Sequence, residues 1–312
     1  MKKISYSAPA KVILSGEHAV VYGKPALVSA IDRRLTVSVI ESKNKDKDPR
    51  MAEIILIVKK YLHGKNIPIK EKDCHISIQS DIPIGRGLGS SGALSVAASA
   101  SLMEFFSGTQ FNPEEINNCA YQIEKLFHKN ASGVDPTTSC FGGLIFYRKE
   151  FEFLKTISSL HAKIPKEIAE NLYLIDSGKP HESTAEMVQQ VGKLYNNRSK
   201  FVENVFQKIE RITKRMVVSL MKEDREFFTQ TVTENEELLE KIGVVSSSTI
   251  KLLETLKPYG VGKITGAGGK KSGSGYLLFY AMAKNKAEKY FQKKNISYLI
   301  FNPSQEGVKK IL

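Results

Sequence analysis

The sequence has no tryptophan, three cysteines and no apolar run near the ~18 residues that a membrane-crossing helix needs, so a spanning protein is excluded. The cysteines (Cys74, Cys119, Cys140) are odd in number and far apart. They form neither a disulfide framework nor a CxxC zinc site, and they suit a reducing, cytoplasmic setting. Met1-Lys2-Lys3-Ile4-Ser5 carries charge but no following apolar segment, so no secretory signal is expected. The Walker A pattern GxxxxGK[ST] occurs nowhere, which excludes an ordinary P-loop enzyme. Internal repeats and low-complexity segments are also lacking.

What is there is a globular composition of 41% apolar and 25% charged residues over 312 positions, enough for two domains of ordinary size. The net charge is +13 and uneven. Arg198 to Arg225 holds eight Lys/Arg against four Asp/Glu, and Lys284 to the end holds seven against two. Solvated helix faces account for such runs, as does attraction of anionic small molecules or of nucleic acid. A nucleic-acid surface needs aromatics interleaved with the basic residues. Here Phe201 and Phe206 fall on the apolar face of a helix, so nucleic acid is not an expected partner.

Strands and helices interleave without a strict βαβ rhythm, which indicates an α+β fold. Val12-Ile-Leu14, Leu35–Ile40, Cys74–Ser80, Gly142–Tyr147 and Leu172–Asp176 read as strands, with later ones at Gly275–Ala281 and Ser297–Phe301. Lys43 to Arg50 reads as a loop, and the Lys/Glu-rich stretch 148–170 as a domain boundary. Asn112-Pro113 with Glu115, and Ser183 with Glu186, are helix starts of the capping-box kind. Ser246–Ser248 caps another helix, and a long amphipathic helix carries Val202, Val205, Phe206, Ile209, Ile212, Met216 and Leu220.

The strongest chemical signal is Pro83-Ile-Gly-Arg-Gly-Leu-Gly-Ser-Ser-Gly92, between a strand and a helix. Its glycines Gly85, Gly87, Gly89 and Gly92 let backbone N–H groups form a concave nest, and the helix start adds unpaired donors. Such a place binds phosphate. Gly87-Leu-Gly-Ser-Ser-Gly92 also satisfies GxGxxG, but no second strand ending in an acid follows, so a dinucleotide fold is not indicated. Glu124 sits about 80° from Ile116 on a helical wheel, at the flank of an apolar face. Asp135 lies in Asn130-Ala-Ser-Gly-Val-Asp-Pro136, which reads as a turn. Taken singly, Lys11 and Glu17-His18 pass for surface residues.

Together these segments form a pattern. Pro9-Ala-Lys-Val-Ile-Leu-Ser-Gly-Glu-His-Ala-Val-Val-Tyr-Gly-Lys-Pro-Ala-Leu27 resembles the first motif of mevalonate kinases. The loop from Pro83 to Gly92 resembles the second motif of the galactokinase, homoserine kinase, mevalonate kinase and phosphomevalonate kinase (GHMP) superfamily. Ser132-Gly-Val-Asp-Pro136 resembles the segment of its catalytic aspartate, and Lys263-Ile-Thr-Gly-Ala-Gly-Gly269 its third motif. Galactokinases would continue Gly-Glu-His with Thr-Asp-Tyr, where this chain has Ala19-Val20-Val21. Homoserine kinases lack the element, and phosphomevalonate kinases usually carry Tyr where His18 stands.

The resemblance implies a two-domain enzyme, with 1–155 like the second domain of ribosomal protein S5 and 156–312 ferredoxin-like. It implies ATP-dependent phosphorylation of the primary hydroxyl of mevalonate, in isoprenoid synthesis. By position, Asp135 matches the catalytic base and Lys11 the lysine beside it. Ser91 and Glu124 match the Mg²⁺ ligands, and Glu17 and His18 the mevalonate contacts. Pro83, Gly85, Arg86, Gly87, Leu88, Gly89, Ser90, Ser91 and Gly92, with Gly266, Gly268 and Gly269, match the ATP-binding loops. A related kinase acting on phosphomevalonate, or on the 3-hydroxyl of mevalonate, is the alternative. ATP and mevalonate are the expected partners, with no membrane association and a homodimer compatible with the chain. One departure stands out: the third motif continues into Lys270-Lys271, expected to lie by the triphosphate and assist ATP binding.

Overall fold

The computed structural model describes residues 3–42, 48–128, 131–151, 154–160 and 162–311. It is an α+β protein with two antiparallel sheets. The first sheet has the order β10-β1-β2-β4-β5, with β3 also paired to β2. Its strands are β1 (Ile4–Ser15), β2 (Ala26–Glu41), β3 (Cys74–Ser80), β4 (Leu144–Lys149), β5 (Lys155–Leu160) and the returning β10 (Lys309–Ile311). The second sheet has the order β7-β8-β6-β9, built from β6 (Leu172–Asp176), β7 (Gly260–Ile264), β8 (Tyr276–Ala281) and β9 (Tyr298–Ile300).

The helices are α1 (Pro49–Gly64), α2 (Ser90–Ser107), α3 (Pro113–Phe127), α4 (Val134–Phe141), the short α5 (Lys166–Ala169), α6 (Thr184–Asn197), α7 (Ser199–Met221), α8 (Arg225–Lys241), α9 (Ser247–Leu256) and α10 (Lys284–Lys293). Helix α2 buries nearly every residue from Gly92 to Phe106. A helix enclosed on all sides belongs at the centre of a core, and α2 carries the glycine loop at its N-terminal end. No helix among the described residues is long and apolar enough to cross a membrane.

Strands β6 and β8 are buried on both faces, which explains their unbroken apolar runs. Leu172, Leu174, Leu278 and Tyr280 join the core of the first sheet, whereas Tyr173, Ile175, Leu277 and Phe279 join a second core with Phe206, Leu239 and Phe291. The two sheets therefore share buried surface across the middle of the molecule.

Several expectations hold in detail. Asn112 accepts from Glu115 N–H and Glu115 reaches back to Asn112, and Ser183 with Glu186 repeats the arrangement. Ser246 caps α9. Others need correction. The expected loop at 43–50 already contains the start of α1, capped by Asp48 with Pro49 in the first turn, while 43–47 lie outside the described residues. Asp135 is not in a turn but in the first turn of α4, behind Gly133 (Asn130 lies outside the described residues). Phe201, assigned by spacing to the apolar face, is 41% exposed, although Phe206 is buried. The 155/156 division falls at the start of β5, whose pairing with β4 carries the first sheet on to Leu160.

Candidate active site

The loop from Pro83 to Gly92 enters α2 with Gly85, Gly87 and Gly89 all at positive φ. Gly89 occupies the cap position, and no side chain caps the helix, so its first N–H groups remain open to an anion. The loop is anchored to the second sheet. The Arg86 guanidinium pairs with Asp176 at the end of β6, and the Arg86 carbonyl accepts from Tyr276 N–H at 3.0 Å. At Gly87 a side chain is impossible: a Cβ there would stand 2.4 Å from the Thr265 carbonyl oxygen.

Lys11, on β1, runs under this loop. Its backbone N–H donates to the Leu88 carbonyl at 3.0 Å, and its side chain crosses so close to Gly89 that a Cβ would meet Lys11 Cγ at 2.7 Å. Its ammonium ends 3.2 Å from Asp135 Oδ1. Asp135 in turn fits only because Gly92 has no side chain, since a Cβ there would lie 2.8 Å from Asp135 Cβ.

Glu124 is enclosed rather than flanking, because α2 and α4 both pack on α3. Ser91 Oγ donates to Glu124 Oε1 and Ser95 Oγ to Oε2, each at 3.1 Å. Burial, with Asp135 adding a second negative charge, pushes the Glu124 carboxyl up to about 8. His128 Nε2 lies 3.5 Å from Glu124 Oε1. Burial holds that imidazole below its usual range. Ser95 and His128 were not among the sequence candidates. Their signal was one helical turn away, at Ser91 and Glu124.

The first-motif turn has Gly16 and His18 at positive φ. Glu17 is fully enclosed and pairs with the equally enclosed Lys263 of β7. His18 Nε2 lies 3.0 Å from the Ala267 carbonyl. A carbonyl only accepts, so this assigns the proton to Nε2. Burial lowers His18 to about 4, leaving a neutral ring. In the third loop Gly266 faces Gly87, and Gly268 lies so near the Val244 carbonyl that any Cβ would collide with it. Gly269 N–H donates to that carbonyl at 2.9 Å. Lys270 and Lys271 are exposed, and Glu182 holds their backbone N–H groups at 3.1 and 3.2 Å.

The sequence candidates Lys11, Asp135, Ser91, Glu124 and the second-motif glycines thus meet at one place, the N-terminal end of α2. The supporting residues from the second half of the chain were missed as candidates: Lys263 of β7, Asp176 of β6, Thr265 just beyond β7 and Glu236 of α8. A glycine nest beside an acid held against a buried lysine is the equipment of a small-molecule kinase.

Residues 51–143 match the family described as the GHMP kinases N terminal domain. A mevalonate kinase of Archaeoglobus fulgidus is 34% identical, the match covering 97% of this chain and 98% of the relative. Among solved structures, a Lin0012 protein from Listeria innocua superposes with a TM-score of 0.82 at 20% identity, over 99% of both chains. The Methanococcus jannaschii mevalonate kinase gives 0.75 at 23% identity, over 97% of this chain and 98% of that one. The chain belongs to the GHMP kinases and, within them, to the mevalonate kinase family.

Proposed function

We propose that the protein transfers the γ-phosphoryl group of ATP to the primary hydroxyl of mevalonate, giving 5-phosphomevalonate and ADP for isoprenoid synthesis. The observation that carries the mechanism is the Lys11–Asp135 pair, seated against Gly89 and Gly92 at the N-terminus of α2. The triphosphate lies on the N–H groups of residues 85–92, where the helix start and the glycine nest both favour anions. The ion pair with Lys11 orients the Asp135 carboxylate, which accepts the hydroxyl proton. The alcohol oxygen bonds to the γ-phosphorus as its bond to the β–γ bridging oxygen breaks.

Ser91 and Glu124 offer a hydroxyl and a carboxylate, the hard oxygen donors that Mg²⁺ prefers. The buried Glu124 carboxyl gives up its proton reluctantly, a cost that a neighbouring cation removes, so the donor set fits the ion. When bound, Mg²⁺ supplies neutralisation of the triphosphate charge. His18 faces the acceptor as a neutral ring, its Nε2–H spent on Ala267 and its Nδ1 left to accept from a hydroxyl.

The test is ADP release from the purified protein with mevalonate, phosphomevalonate, homoserine and galactose. Mevalonate should give the highest kcat/KM. A higher value for phosphomevalonate or a sugar would overturn the substrate assignment.

A further inference from the structure

The first motif and the third come from opposite ends of the chain, yet Lys263, Thr265 and Ala267, at two-residue spacing, each join them. Lys263 Nζ pairs with Glu17, 246 residues away. Ile13 N–H donates to Thr265 Oγ1 at 2.9 Å. His18 Nε2 donates to the Ala267 carbonyl at 3.0 Å. Lys263 also donates to the Ile264 carbonyl at 2.6 Å, and Glu236 Oε2 accepts from Ile264 N–H at 2.9 Å, which fixes the strand beneath the lysine. The same short segment touches the phosphate loop, since a Cβ on Gly266 would meet Gly87 Cα at 3.0 Å. Residues 263–267 are therefore sandwiched between the turn that carries His18 and the loop that holds the phosphates.

We infer that Lys263 is a positioning residue, whose buried ion pair with Glu17 latches the His18 turn onto the third loop and keeps the acceptor side of the site in register with the phosphate loop. The pair is poorly suited to a purely stabilising role. Both side chains are 0% exposed, and Glu17 Oε2 has no hydrogen-bond partner. Two enclosed charges cost about as much to desolvate as their attraction returns, so apolar residues of the same volume would hold the sheets together as well. Direction is what the pair adds. It requires the carboxylate of one segment to meet the ammonium of the other, and the next residue, His18, is carried along at a positive φ that leaves the turn little freedom.

The inference rests on mevalonate as acceptor, and its test separates the two. In Glu17→Gln/Lys263→Met both charges go, leaving neither stranded. The expected result is a folded protein with unchanged ATP affinity by calorimetric titration. Its KM for mevalonate should be raised ~10-fold and its kcat lowered ~10-fold, as a small misplacement of a reacting group produces. Constants within ~2-fold of wild type would overturn the latch, and so would equal losses for ATP and mevalonate, which mark general damage. If the double variant does not fold, Thr265→Val decides, since it removes only the acceptor of Ile13 N–H. It should raise the mevalonate KM ~3-fold or more and spare ATP, and an unchanged mevalonate KM overturns the latch. A wild-type enzyme that ignores mevalonate defeats the substrate assignment instead, and the variants are then read with whichever acceptor of the four releases ADP.

Discussion

Lys11 Nζ and Asp135 Oδ1 stand 3.2 Å apart, but the lysine side chain is 3% exposed and the aspartate 24%. The cation is fixed beneath the glycine loop while the carboxylate reaches the open side. An ammonium enclosed in a low-dielectric setting acts on its neighbour far more strongly than one in water. The pair thus presents a charged, oriented proton acceptor at the edge of a phosphate nest.

Asp135→Asn keeps the shape and removes the acceptor. We expect kcat to fall by ~10² to 10⁴ with ATP binding retained. Single-turnover kinetics and nucleotide titration check this, and recovery of the rate on adding magnesium would contradict the assignment.

Glu124→Gln should act through the metal instead. The magnesium concentration for half-maximal rate should rise, and part of the activity should return at high magnesium. Normal metal dependence would place the ion elsewhere.

Gly92→Ala is a favourable change for an isolated helix, yet the new Cβ would meet Asp135 Cβ at 2.8 Å and its backbone carbonyl carbon at 2.9 Å. Overpacking of this kind costs ~1–3 kcal/mol. Because the displaced residue is the proton acceptor, we expect kcat to fall at least ~10-fold. An active variant with normal kcat would show that α4 can shift without consequence.

Glu236 predicts a pH dependence of stability. Burial raises its carboxyl to about 8 from 4.5. Between these values the unfolded chain has lost the proton and the folded chain keeps it, so stability falls as pH rises, by up to ~1.4 kcal/mol per unit. Neutral His18, lowered to about 4 from 6.5, slopes the other way but only below 6.5. Thermal unfolding between pH 6.5 and 8 should therefore show the wild type losing stability and Glu236→Gln losing less. Parallel curves would sink this reading.

Much of the fold could be read locally. The capping boxes at Asn112 and Ser183 close within four residues, so they are written in the sequence and recur in the structure. Helix α1 carried the same kind of signal in Asp48-Pro49 and in Met51, Ile54, Val58 and Leu62, but the charged stretch before it dominates the reading. Strands β5 and β10 are short and mostly exposed, with no apolar alternation to mark them, and only pairing with β4 and β1 makes them strands.

The sequence by itself determined the chemistry on offer: a glycine nest opening a helix, an aspartate behind a glycine, and a Gly-Glu-His element. Each is a local device written in a few consecutive residues, so spacing alone announces it. Tertiary structure decided what those devices meet. Glu124 looks like a flank position on a wheel, and only the packing of α2 and α4 encloses it. Lys263 looks like one strand residue among many, and only the contact of the two sheets brings it to Glu17, 246 positions away. Burial then does what no local pattern can, by taking water away and so setting which groups are charged and which contacts are strong.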